Sequence, residues 1–224
     1  MNELKRLFKK INRSIIARGF KETTLIILND LLFSFRYKVS VKESVPLDFL
    51  DISSPNRVNG NPYEGASYYY VKKALRSLPV DLSTSALIEY GSGKGNVIIM
   101  SSEFGFKQIL GIEFAKDLAI QSERNIETKI GEKTKSKIKM ICCDATFYEI
   151  PAEYNVFFFF NPFNSIVFEK ILINIDQSLT SKKRDIYLVY VNPTINTDLF
   201  IKYKYNIIFN HSSKEKPEIL IFSK

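Results

Sequence analysis

Hydrophobic residues along this chain keep two different rhythms. Near the amino terminus they recur at helical spacing. Leu4, Leu7, Phe8, Ile11 and Ile15 alternate with Lys5, Lys9, Lys10 and Arg13, which predicts an amphipathic helix stopped at Gly19. Leu25, Ile27, Leu28, Leu31, Leu32 and Phe35 predict a second helix from about Thr24 to Phe35. From residue 87 onward the apolar residues come instead in short runs, 87–88, 109–112, 137–143, 156–160 and 185–191, of which 137–143 is interrupted by Lys137 and Lys139 and the last opens on Asp185. Stretches with helical spacing, at 114–128 and 165–179, separate several of them. Continuous apolar strands alternating with helices imply an α/β fold around a parallel sheet buried on both faces. Two further strand candidates, 205–209 and 218–222, are joined by a turn through Ser212-Ser213-Lys214.

Between the two regimes lies a stretch with Pro46, Pro55, Gly60 and Pro62 among Asn and Ser residues. The chain therefore divides into a helical extension (1–42), a connector (43–62) and an α/β domain (63–224). A helix is predicted from about Tyr68 to Leu78.

The candidate chemistry sits at the ends of the apolar runs. Residues 87–95 read Leu-Ile-Glu-Tyr-Gly-Ser-Gly-Lys-Gly, and Glu113 follows 18 positions after Gly95. Glycines here let the backbone turn tightly and approach a ligand closely. An acid ending the second strand of a βαβ unit falls where a ribose diol would sit. A phosphate-cradling loop needs Ser or Thr after Gly-Lys, but Gly93-Lys94 is followed by Gly95. A dinucleotide fingerprint is G-x-G-x-x-G, whereas the sixth position here is Asn96. Glu89, Glu113, Asp144 and Asn161 each close an apolar run, and ligands of open α/β sheets collect at such carboxyl ends. Any one of them could equally be a helix cap.

An acid two residues before G-x-G-x-G resembles the first motif of class I S-adenosylmethionine-dependent methyltransferases. The resemblance spans roughly residues 60–222. It implies a seven-stranded, mostly parallel Rossmann-like sheet with helices on both faces, closed by an antiparallel carboxyl-terminal hairpin. It also implies S-adenosylmethionine as cofactor. By this likeness Gly91, Ser92, Gly93 and Gly95 form the loop under the methionine part of the cofactor, and Glu89 and Tyr90 ahead of it also belong to the cofactor site, the Glu89 carboxylate suiting the ammonium. Glu113 matches the acid that accepts from the ribose hydroxyls, and Asp144 with Ala145 the position that reads the adenine amino group. Asn161-Pro162-Phe163 matches the fourth motif, beside the transferable methyl.

In amino-group methyltransferases that motif holds Asn or Asp, two prolines and an aromatic residue. The side-chain oxygen and a proline carbonyl accept from the target nitrogen, and catalysis is largely positioning. Here only one proline is present, so a nitrogen acceptor is only slightly favoured, and a strand-ending turn is the plainer alternative. Tyr63 and Ser67 are candidates for a lid over the cofactor, Ser67 serving equally as a helix cap. The phrases Gly-Ile-Glu-Phe and Tyr-Val-Asn-Pro are similar to a bacterial group of these enzymes with no assigned substrate. A more distant similarity is to non-SET histone lysine methyltransferases.

Composition narrows the partners. The chain of 224 residues is ordinary for a soluble protein, at 45% hydrophobic and 25% charged. Residues 1–42 hold ten Lys or Arg against three acids, so they carry +7 of the total +8. Enzymes of nucleic acids usually carry positive charge around the active site, so this placement argues against a DNA or RNA substrate. The extension reads either as a helical hairpin packing its apolar face on the catalytic domain or as a basic amphipathic element on an anionic membrane surface. The only cysteines, Cys142 and Cys143, are adjacent and end a run read as a buried strand, which fits a reducing compartment. The single histidine, His211, lies far from the motifs and reads as satisfied or exposed. The amino terminus lacks the apolar core of a cleavable signal, and no segment reaches the ~18 apolar residues of a membrane span. These features point to a cytoplasmic protein, with peripheral attachment at the inner membrane surface as an option.

The leading expectation is methyl transfer to a small molecule, glycan precursor or protein side chain. The alternative is a cofactor-fold protein without turnover, serving as a membrane-surface or assembly module through residues 1–42.

Overall fold

The computed structural model describes residues 3–224. The chain opens with α1 (Glu3–Arg18) and α2 (Phe20–Tyr37), separated at Gly19. Its φ of 83° is a left-handed conformation that glycine adopts without a Cβ clash. The side chains of Leu4 and Leu7, used above to place α1, lie outside the described residues. Strand β1 (Ser44–Val45) pairs antiparallel with β2 (Tyr63–Glu64), so the connector doubles back on itself. Helix α3 (Tyr68–Arg76) leads into the main sheet.

That sheet is built from β3 (Ala86–Tyr90), α4 (Asn96–Ser102), β4 (Gln108–Glu113), α5 (Lys116–Lys129), α6 (Glu132–Lys135) and β5 (Ile138–Cys142). It continues with β6 (Val156–Phe160), α7 (Ser165–Ser181), β7 (Tyr187–Val191), α8 (Asp198–Lys202), β8 (Asn206–Ser212) and β9 (Pro217–Ser223). The seven strands lie in the order β5-β4-β3-β6-β7-β9-β8. The first five run parallel, and β9 is antiparallel to both neighbours. This is the mostly parallel sheet with a terminal antiparallel hairpin that the sequence predicts.

Alternation hides inside the continuous apolar runs. Leu87, Phe158, Val189 and Ile221 face one core with α3 and α4. Ile88, Phe157, Leu188 and Phe222 face the other with α7. Both faces of the central strands are covered, so β3, β6 and β7 carry no polar side and show no period-2 signal.

Two expectations need correction. Strand β5 is the sheet edge, Cys142 is exposed and Cys143 only half-buried, so these are not thiols of a buried strand. An outermost strand has a neighbour on one side alone, and both Lys139 and Cys142 reach solvent. The helical hairpin does pack on the domain, but the face that α2 presents there is mixed, with Phe33 buried beside Thr23 and Asp30. Asp30 accepts from Ser67 Oγ (2.9 Å) and the Tyr69 amide (3.3 Å). Glu22 pairs with His211 (2.6 Å), and Phe33 stacks on Tyr68 with centroids 4.8 Å apart. An acid at the amino end of α3 meets its outward-pointing N–H groups and positive dipole end. The leucines of α2 are left facing outward.

Candidate functional site

Strand order reverses between β3 and β6, which are neighbours although their following helices pack on opposite faces of the sheet. A crevice opens at such a point, beyond the carboxyl ends of the strands. The Gly91–Gly95 loop leaves β3 there, and Asn161-Pro162-Phe163 leaves β6 beside it. The loop is stitched to β4: the amides of Gly91 and Ser92 both donate to the Ile112 carbonyl, at 2.9 and 3.0 Å.

Two chambers meet at this point and share Gly91, Phe114 and Pro162 as walls. The first, partly open to solvent, is lined by Tyr63, Glu89, Ser92, Asn96, Glu113 and Asn161, among others. The second is more apolar and is lined by Gly60, Ile112, Cys143, Asp144, Ala145 and Phe163, among others. The sequence-predicted residues thus gather in one place, with four exceptions in detail, the first being Gly93, which lines neither chamber and gives its amide to Glu113. Tyr90 points into the core, where its ring stacks on Phe159 at 5.1 Å, and only its backbone leads into the loop. Ser67 donates to Asp30 and lines neither chamber. Gly95 supports the loop from behind, since a Cβ there would lie 2.3 Å from Ser122 Oγ.

The two acids of the first chamber are almost fully buried, Glu89 at 2% exposure and Glu113 at 3%. Glu113 accepts from the Gly93 amide (2.7 Å) and the Ala115 amide (2.9 Å). Burial pushes its pKa up against those hydrogen bonds. Burial, helped by the neighbouring Glu113, drives Glu89 well above the usual carboxylate range. Glu89 Oε2 has no hydrogen-bond partner. A buried carboxylate oxygen without a partner is costly, and a cationic group in the chamber would relieve that cost.

At the rim of the second chamber, Asp144 accepts from Thr146 N (2.9 Å), Thr146 Oγ1 (2.8 Å), Asn56 Nδ2 (2.8 Å) and Ser54 Oγ. Burial alone would raise its pKa, but these bonds outweigh it and hold it below the usual range. A carboxylate has about four acceptor positions, and all are used. A further donor must displace Ser54 or Asn56.

Asn161 adopts φ 45°, a left-handed conformation that asparagine tolerates better than most residues. Its Oδ1 accepts from Thr194 Oγ1 (2.6 Å) and Asn61 Nδ2 (3.2 Å). Asn61 Nδ2 also donates to the Asn161 carbonyl (2.9 Å), and the Asn61 amide donates to the Pro162 carbonyl (3.0 Å). Next in the chain, Tyr63 lies over the glycine loop: a Cβ on Gly93 would meet its ring at 2.3 Å. Residues 54–63 therefore form a strap across the site.

Sequence reading missed Ser54, Asn56, Asn61 and Thr194. One signal was present, because Asn61-Pro62-Tyr63 repeats the Asn-Pro-aromatic phrase of Asn161-Pro162-Phe163. His211 is held by Glu22 and Lys73, away from both chambers.

The residues fit S-adenosylmethionine. A buried, unpartnered carboxylate oxygen suits an ammonium, Glu113 offers two acceptor oxygens to a diol, and the apolar slot between Phe114, Ala145 and Phe163 suits a flat base.

No protein-family model matches the chain, and no curated protein matches its sequence. Solved structures do match its fold. One is a Pyrococcus horikoshii protein provisionally assigned as an RNA methyltransferase, with TM-score 0.53, 16% identity, and coverage of 80% of this chain and 94% of that one. Another is an RNA methyltransferase from Salinibacter ruber in complex with S-adenosylhomocysteine, with TM-score 0.50, 17% identity, and coverage of 68% and 87%. A third is a SAM-dependent methyltransferase from Aquifex aeolicus, with TM-score 0.52, 9% identity, and coverage of 76% and 94%. At these identities the likeness is one of fold, and the fold is that of SAM-dependent methyltransferases.

Proposed function

We propose that this protein transfers a methyl group from S-adenosylmethionine to an acceptor bearing an N–H group. The observation that carries the reading is the meeting of Glu89, Glu113 and Asn161 in one chamber at the switch point, with Glu89 Oε2 buried and unpartnered. S-adenosylmethionine, when bound, supplies an electrophilic methyl. The protein's own residues bind and orient. Glu89 neutralises the ammonium of the methionine part, and Glu113 accepts from the ribose hydroxyls. Phe114, Ala145 and Phe163 enclose the adenine, with Asp144 at its amino group once Ser54 or Asn56 yields. Asn161 Oδ1 and the Pro162 carbonyl align the acceptor nitrogen, and Tyr63 with Asn61 covers the site.

The nitrogen preference is supported by what already sits on those acceptors. Asn61 offers N–H donors to the Asn161 carbonyl, Asn161 Oδ1 and the Pro162 carbonyl. An acceptor amine or amide makes the same bonds when the strap withdraws. The acceptor class is a small molecule, glycan precursor or protein side chain. RNA, the substrate of some proteins of this fold, is disfavoured because residues outside 1–42 carry only +1 of the net charge.

Calorimetric titration with S-adenosylmethionine and S-adenosylhomocysteine tests the cofactor assignment. Release of S-adenosylhomocysteine in the presence of fractionated cell extract tests turnover. No saturable binding of either compound by the folded protein overturns the proposal. The second reading, a cofactor-fold module without turnover, is favoured by the engagement of Asn161 and Pro162 with Asn61. Tight cofactor binding with no S-adenosylhomocysteine release from any fraction would select it.

A further inference from the structure

The hairpin of α1 and α2 exposes what a soluble helix normally hides. On α2, Phe20, Leu25, Leu28, Leu31, Leu32 and Phe35 are all exposed, Phe20 at 73%, Leu32 at 68% and Phe35 at 87%. Positions 28, 31, 32 and 35 follow i, i+3, i+4, i+7 spacing and so form one stripe. On α1, Phe8 and Ile16 are exposed as well. Among the described residues this apolar surface has no partner.

Charge is sorted in the same segment. Glu22 and Asp30 are turned inward, onto His211 and onto Ser67 and Tyr69. The bases Lys5, Lys9, Lys10, Arg13, Lys21 and Lys38 are exposed. The exposed surface of the hairpin therefore combines an apolar stripe with a cationic field, and the acids Glu22 and Asp30 are withdrawn from it.

We propose that this hairpin is an interfacial docking element for an anionic lipid bilayer, with the α2 stripe inserted at the headgroup–acyl boundary and the lysines among the phosphates. The chemistry selects this occupant. A nucleic acid would satisfy the lysines but leave the leucines and phenylalanines in water. A second copy of the chain would cover the stripe but bring two segments of +7 together. Only an anionic surface with an apolar interior answers both features. No helix among the described residues is long and apolar enough to cross a membrane, so the element lies on the bilayer without spanning it. The docking surface is independent of the methyl-transfer reading, and its test uses no cofactor.

The test is co-sedimentation of the full chain with phosphatidylglycerol–phosphatidylcholine vesicles and with pure phosphatidylcholine vesicles. Binding should be at least tenfold stronger to the anionic vesicles at low salt and should fall steeply as salt shortens the Debye length, which is about 10 Å at 0.1 M. The triple variant Leu28→Gln, Leu32→Gln, Phe35→Gln should bind at least tenfold more weakly, as should Lys9→Glu, Lys10→Glu, Arg13→Glu. All six side chains are exposed, so circular dichroism should show both variants folded. If either variant unfolds, the lipid and salt dependence of the unmodified chain decides. Three results overturn the proposal: no binding to anionic vesicles at low salt, wild-type binding by the glutamine variant, or a dimer that this variant dissociates in a protein that ignores vesicles.

Discussion

Asn61 donates its side-chain amide to both the carbonyl (2.9 Å) and the side-chain oxygen (3.2 Å) of Asn161, one hundred positions further along the chain. Its backbone N–H takes the Pro162 carbonyl as well. In the proposed function these are the oxygens that hold the acceptor nitrogen, so Asn61 stands in the acceptor's place. Substitution Asn61→Ala removes the side-chain bonds, and each such bond is worth about 0.5–1.5 kcal/mol net. With an acceptor identified, KM for it should fall roughly 2–10-fold while kcat holds. A rise in KM would instead make Asn61 part of the acceptor site.

Glu89 gives a prediction with opposite signs for stability and binding. Its folded pKa lies above its unfolded value near 4.5, chiefly through burial. Native protein therefore holds this proton more tightly than unfolded chain does. The resulting stabilisation is fully present below the unfolded pKa and is lost as pH rises through the folded one. At neutral pH Glu89→Gln should stabilise the ligand-free protein, by about 2–4 °C in Tm for ~1 kcal/mol. The same change should weaken S-adenosylmethionine, because the ammonium loses its carboxylate. In the unmodified protein affinity should rise with pH as Glu89 ionises, with proton release on binding seen as buffer-dependent calorimetric heat. A glutamine variant that binds with full affinity would remove Glu89 from the ammonium site.

What was legible in the sequence was local. Val156–Phe160 could be read as a strand because five consecutive apolar residues end at Asn-Pro, and Glu89, Glu113 and Asn161 could be placed together because carboxyl ends of parallel strands share one edge. Contacts across long separations could not be read this way. Ser54 and Asn56 reach Asp144 about ninety positions away, and nothing in the spacing of a Pro/Asn/Ser stretch says where it lands. The orientation of α2 was equally hidden. Periodicity shows that Leu28, Leu31, Leu32 and Phe35 share a face, but Asp30 and Glu22 decide which face meets the domain, because Ser67, Tyr69 and His211 wait there. The exposure of Cys142 followed from strand order, at which Lys137 and Lys139 in the same run were the only hint.

Glu113 has two tasks in the structure, and a single substitution would confuse them. It holds the Gly93 and Ala115 amides, and in the proposed function it also accepts from the ribose. Glu113→Ala should weaken S-adenosylhomocysteine by tenfold or more, for a loss of roughly 1.5–3 kcal/mol in charged hydrogen bonds. It should also lower Tm, because two buried N–H groups lose their acceptor. A double-mutant cycle with a 2′-deoxyribose analogue of the ligand separates the tasks. The unmodified protein should discriminate against the analogue, and the alanine variant should not. Equal discrimination by both would leave Glu113 as a scaffold for the loop only.

Asn161 should govern turnover and leave cofactor affinity nearly unchanged. Alanine is a poor probe here, since φ 45° strains any residue with a Cβ. Glycine removes the side chain without that strain. Asn161→Gly should therefore slow methyl transfer by about 30–1000-fold, or ~2–4 kcal/mol in the barrier, because the lost oxygen aligns the acceptor in the transition state. Thr194 acts one step further out. Its hydroxyl donates to Asn161 Oδ1 at 2.6 Å and so fixes the direction of that oxygen. Thr194→Val should lower kcat roughly 2–10-fold, the worth of one such bond, with KM unchanged. Thr194→Ser restores the hydroxyl and should restore kcat; a merely structural role would move Tm without this split. If Asn161→Gly instead abolished binding of S-adenosylmethionine while turnover per bound cofactor stayed normal, Asn161 would belong to the cofactor site. The nitrogen acceptor would then lose its main support.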